Sequence, residues 1–131
     1  SYTADSLKSI YEQTGGHPFL ARRLCSLILS EYQERPILIE QETVDRALPE
    51  FRLKEGSVFD EILDRLKRDF PLEHDILCFI AAGISDEASL ASLTDMSISE
   101  ALRHLLGYQL VQSRSHMYEI KIALLAKYLQ R

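Results

Sequence analysis

The chain has 131 residues, 46% of them hydrophobic, and a formal net charge of -5. Its size suits one ordinary domain or two very small ones, and its apolar content excludes a disordered segment. The acidic balance sets aside a nonspecific nucleic-acid binder as the first reading, although from Ser97 onward five basic side chains face two acidic ones, which keeps DNA binding by the C-terminal half in view.

In chain order, Asp5 or Ser6 is the expected cap of a first helix whose Leu7, Ile10 and Tyr11 form a short apolar stripe. Thr14-Gly15-Gly16-His17-Pro18 then reads as a sharp corner. A glycine supplies the left-handed residue that ends one helix, and Pro18 suits the first position of the next, where no N–H is needed. The second helix runs from Pro18 to about Tyr32, with Phe19, Leu20, Leu24, Cys25, Leu27 and Ile28 on a wide apolar face. Glu34-Arg35-Pro36 breaks it, residues Ile37 to Ile39 form a short extended link, and a third helix covers about Gln41 to Leu48. Pro49 to Gly56 brackets a charged segment, which places a linker at 51–56 between a first domain, 1–50, and a second, 57–131.

The second domain opens on a helix capped by Ser57, with Val58, Phe59, Ile62, Leu63 and Leu66 at helical spacing. Pro71 starts another helix, ended at Ala81-Ala82-Gly83. A short helix from Asp86 to about Leu93, a turn at Thr94-Asp95-Met96 and a helix from Ile98 to Leu106 spell a helix-turn-helix, and Ser97-Ile98-Ser99-Glu100 has the form of a capping box. After Gly107, Leu110-Val111 and Tyr118, Ile120 and Ile122 alternate as two strands around Ser113 to His116. The expected fold is mainly α, with the order of elements of a winged helix in its second half.

The corner has two physical readings. A helix that begins at Pro18 presents free N–H groups and the positive end of its dipole, the ordinary way to hold an anion such as phosphate. Equally, Gly-Gly-X-Pro is a good helix–helix corner and nothing more. A helix, Thr-Gly-Gly-His-Pro and a helix carrying Leu-X-X-Leu-Cys resemble the lid subdomain of AAA-type and STAND-type P-loop ATPases. Ile39 to Leu48 resembles the last lid helix of the same families, and the elements from Ser57 to Arg131 resemble the winged helix that follows such lids. The resemblance implies that Gly16, His17 and Pro18 lie beside the base or ribose of ATP or ADP held mainly by a separate P-loop domain. An arginine sensor at the corner itself is missing; Arg22, one turn after Pro18, is the side chain placed to reach a phosphate, with a solvated or salt-bridged Arg22-Arg23 pair as its alternative. The histidine of His116-Met117-Tyr118 stands in a different order from the Met-His-Asp motif of related signalling ATPases and receives no nucleotide role.

For DNA, the exposed face of the second helix of the helix-turn-helix offers Ser99, Arg103 and His104, and the wing offers Arg114 and Lys121. That supply is thin, and a wing packed on other domains or partner proteins is the competing reading. Chemistry is scarce elsewhere. Neither Gly-X-X-X-X-Gly-Lys-Ser/Thr nor Gly-X-Ser-X-Gly occurs, and the sequence offers no Cys–His dyad or metal-ligand spacing among His17, His74, His104, His116, Cys25 and Cys78. The two cysteines read as buried thiols of a reducing compartment. The sequence thus points to a cytoplasmic, non-catalytic regulatory piece of a larger ATPase, dependent on a P-loop domain for nucleotide, with protein partners and no membrane. The rival functions are a winged-helix DNA-binding regulator and a protein-interaction scaffold.

Overall fold

The computed structural model describes residues 1–36 and 38–130. It is mainly helical, with one two-stranded antiparallel sheet, and divides into two compact units, 1–56 and 57–131. Among the described residues, no helix is long and apolar enough to cross a membrane.

The first unit begins with α1 (Ala4–Thr14) and α2 (Pro18–Ser30), which pack on each other. The cap of α1 is Thr3, not Asp5 or Ser6: its side chain accepts from the Ser6 N–H. The apolar stripe is also turned from its expected direction. Ile10 is buried, but Leu7 and Tyr11 are exposed, and Ser6, Ser9 and Thr14 take the inward positions. Burying hydroxyls costs little when they are bonded locally, and here Ser6 Oγ donates to the Thr3 carbonyl at 2.8 Å and Thr14 Oγ1 to the Ile10 carbonyl at 2.7 Å. Leu20, Leu24 and Ile28 form the buried face of α2, while Phe19 stays exposed. The expected link at 37–39 begins at Ile37, outside the described residues, and Leu38 within it is exposed. Ile39 makes a parallel bridge with Tyr2, donating to the Ser1 carbonyl and accepting from Thr3 N–H.

α3 (Gln41–Asp69) is the largest departure from the sequence reading. Residues 51–56, expected as a linker, are helical, and Ser57 is inside the helix instead of capping one. The reason is a buried series that the charged sequence conceals: Val44, Ala47, Leu48, Phe51, Glu55 and Phe59 recur at three- and four-residue steps. Pro49 removes one helical hydrogen bond without ending the helix.

In the second unit, α4 (Pro71–Ala81) packs against α6 (Ser99–Gly107), the hairpin and α7 (Ala123–Leu129). Ile76, Leu77, Ile80, Leu90, Leu102, Leu105 and Val111 form its core. α5 (Glu87–Ala91) is capped by Asp86, whose carboxylate accepts from Ser89 N–H at 2.9 Å; that bond holds its acidity stronger than usual. The connection from α5 to α6 spans 92–98, longer than the expected three-residue turn. The capping box is not formed: Ile98 occupies the cap position without a side-chain bond, and Glu100 turns forward to His104. Gly107 remains helical, and it is Gln109, with φ 63°, that takes the left-handed conformation after α6. β1 (Val111–Arg114) and β2 (Met117–Ile120) pair with Val111 opposite Ile120 and Arg114 opposite Met117. Ser115 and His116, with φ 52° and 64°, form the tight two-residue connection. A third segment joins the hairpin edge: Asp86 bridges Met117, and Tyr118 N–H donates to the Ser85 carbonyl at 2.7 Å.

Candidate functional site

The corner between α1 and α2 is built by two left-handed glycines. Gly15 has φ 63° and Gly16 φ 73°; both N–H groups return to the Tyr11 carbonyl, and His17 N–H donates to that of Thr14. The chain thereby closes α1 and reaches Pro18 in one step. Gly16 also carries the Tyr11 ring against its open side, since a Cβ there would lie 2.6 Å from Tyr11 Cε2.

Gly16, His17, Pro18 and Phe19 are consecutively exposed. His17 is the N-cap of α2 but makes no side-chain cap bond, so the first amides of a thirteen-residue helix have no capping side chain. Arg22 leans back one turn, its Nε 3.5 Å from the Pro18 carbonyl, in the direction expected of a helical side chain. The structure therefore brings Gly16, His17, Pro18 and Arg22 to one exposed helix start. Arg23 is committed elsewhere: its Nε lies 2.5 Å from Glu55 Oε1 and its guanidinium 5.3 Å from the Phe19 ring centre. Glu55 is almost wholly buried, and its second oxygen, Oε2, has no hydrogen-bond partner. Of the two arginines, Arg22 is accordingly the one beside the helix start, while Arg23 ties Phe19 to α3.

Of the five side chains considered for DNA, three already have partners. Ser99 and Arg103 are exposed on α6. His104 is half-buried, its Nδ1 3.0 Å from Glu73 Oε2 and its Nε2 3.6 Å from Glu100 Oε1. Arg114 pairs with Glu119 across the hairpin at 3.3 Å, and Lys121 donates to Gln109. Phosphate would have to compete with these partners for three of the five, in the company of carboxylates that repel it.

No family model, curated protein or solved structure matches this chain.

Three features beside these sites were not read from the sequence. Tyr11 and Phe19, expected in the core, flank the corner as exposed rings; the signal was the position of Phe19 directly after Pro18, at the open first turn. Glu55 looked like one more solvated acid, and only its place in the three-four series with Phe51 and Phe59 marked it as inward. His74 and Cys78, one turn apart on α4, approach to 4.0 Å between Nε2 and Sγ. Their i, i+4 spacing was legible. Burial, and secondarily the Asp75 charge, push the Cys78 thiol up from its ordinary range, which holds it as thiol and opposes a nucleophilic role. Both cysteines are half-buried instead of fully buried. Among the described residues, no group of three His, Cys, Asp or Glu side chains is placed to hold a metal ion.

Proposed function

We propose that this chain is the lid and winged-helix region of a STAND- or AAA-type P-loop ATPase, and that its task is regulatory. The observation that carries the reading is the exposed run Gly16-His17-Pro18-Phe19 at an α2 start without a side-chain cap, with Arg22 leaning over it. Exposed amides and the helix dipole favour a phosphate or the polar edge of a base; the Pro18 and Phe19 surfaces favour the base and the wall of a neighbouring domain. The P-loop, the metal-binding acid and hydrolysis belong to that neighbouring domain, since this chain has no phosphate cradle of its own. Regulation follows if ATP and ADP bind two lid positions with unequal affinity, because only a differential interaction shifts a conformational equilibrium. The order α4, α5, α6, hairpin in the second unit is that of a winged helix, and the third segment at Ser85-Asp86 beside the hairpin supports it.

The test is binding of fluorescent ADP to the full-length protein that contains this segment. Arg22→Ala is expected to weaken binding about tenfold, the worth of one charge-assisted hydrogen bond. His17→Ala is expected to weaken it less. Unchanged affinity in both variants would defeat the nucleotide-sensing reading and leave a purely architectural lid. For the second unit, protein docking is favoured over DNA because His104, Arg114 and Lys121 are already engaged.

A further inference from the structure

Phe70, His104 and Tyr108 meet on the second unit as three mutually adjacent rings. Their centres are 5.9 Å apart for Phe70–His104, 6.0 Å for Phe70–Tyr108 and 6.2 Å for His104–Tyr108. The placement follows from the helix ends. Phe70 is the N-cap of α4, with an extended φ that turns its ring out of the helix, and Tyr108 is the C-cap of α6. Tyr108 is 52% exposed and Phe70 36%, with the half-buried His104 between them. Isolated exposed rings are ordinary on a soluble surface, but a contiguous group marks a contact face, and aromatic residues are the side chains enriched at such faces.

Charge identifies what this face fits. Glu73 and Glu100 flank His104 from α4 and α6; the Glu73 carboxylate is only 8% exposed, whereas that of Glu100 is 71% exposed and stands at the rim. Over the whole second unit, 57–131, eleven carboxylates stand against eight lysines and arginines, a modest acidic excess. An aromatic face rimmed by an exposed carboxylate is complementary to a cation with a flat apolar surface. We propose that the Phe70–His104–Tyr108 face docks an arginine-bearing segment of a partner protein, with the guanidinium laid against Tyr108 or Phe70 and paired with Glu100. Arginine fits better than lysine because its planar, weakly hydrated head stacks on a ring while its N–H fork engages a carboxylate. The proposal goes beyond the nucleotide reading and stands on the second unit alone, so the loss of either leaves the other intact.

The experiment titrates the isotope-labelled 131-residue chain with an alternating Arg-Ala peptide, with the matching Lys-Ala peptide and with duplex DNA, and follows amide shifts. The expected result is a saturable response centred on Phe70, Glu100, His104 and Tyr108, tighter for the arginine peptide. Tyr108→Ala and Glu100→Gln, both at exposed positions that leave the core intact, are each expected to weaken it about three- to fivefold. Three results would overturn the proposal: shifts spread evenly over the acidic surfaces of both units, an affinity unchanged in both variants, or duplex DNA occupying the same face. Concentration-dependent shifts there without any peptide would instead assign the face to a second copy of the chain, which also overturns it.

Discussion

At Gly16, a φ of 73° and a Cβ position 2.6 Å from Tyr11 Cε2 act together. The left-handed conformation alone costs a non-glycine residue about 1–2 kcal/mol. The clash adds less, because Tyr11 is an exposed, movable ring. Gly16→Ala is therefore expected to lower the stability of the chain by about 1–2 kcal/mol in urea denaturation, and adding Tyr11→Ala should recover only a minor part. Full recovery would mean that the ring, not the backbone, sets the requirement. The Arg23–Glu55 pair makes the second residue-scale expectation. Arg23 is half-exposed and Glu55 is buried with one oxygen already unpartnered, so Arg23→Ala strands a buried carboxylate at a cost of about 2 kcal/mol, below the range for fully buried pairs because solvent screens the arginine side. Combining Arg23→Met with Glu55→Leu removes the stranded charge and should restore most of that loss. A double variant as unstable as Arg23→Ala would show that the pair is not the source of the effect.

At the scale of elements, α3 is where local signals and packing disagree most. Pro49 and Gly56 are both poor helix residues, and the segment between them is charged. Against them stand Phe51, Glu55 and Phe59, all buried along one helical line. A buried aromatic side chain contributes about 1.5–3 kcal/mol, enough to outweigh the propensity cost of a glycine. Amide exchange should accordingly show protection continuing through Arg52 to Phe59, with a gap no wider than the turn around Pro49. Free exchange across 51–56 would restore the linker. The remaining elements were legible where the signal was local: Pro71 at the start of α4, and the apolar face Ile98, Ala101, Leu102 and Leu105 on α6. Caps were less so. Thr3, Asp5 and Ser6 are equally good caps on paper, and Ser97 forms no box because α6 begins one residue later, at Ser99 after Ile98.

For the whole molecule, each unit has its own buried side chains. Leu24 and Ile28 are fully buried in the first, and Ile76, Leu77 and Leu105 in the second. Leu24→Ala and Ile76→Ala should each cost about 2–4 kcal/mol. Because Leu24 belongs to the first unit and Ile76 to the second, hydrogen exchange is expected to accelerate chiefly in the unit that carries the substitution. Equal acceleration of both units by either change would show a single cooperative core. The candidate corner and the Phe70–His104–Tyr108 face lie in different units, which is why their tests are independent.

The sequence by itself determined the helix-rich class, the corner at Gly15-Gly16-Pro18, the hairpin and the placement of Arg22 one turn after Pro18. These depend on backbone preferences and on spacing along one helix, which are local and are written in a few consecutive residues. Tertiary structure alone decided that Tyr11 and Phe19 face outward beside that corner, that Arg23 is held by Glu55, that α3 runs through the expected linker, and that His104 is enclosed by Glu73, Glu100 and two rings. Each of these depends on which of several apolar or charged faces finds a partner far along the chain, and burial energy at that partner overrides the local preference.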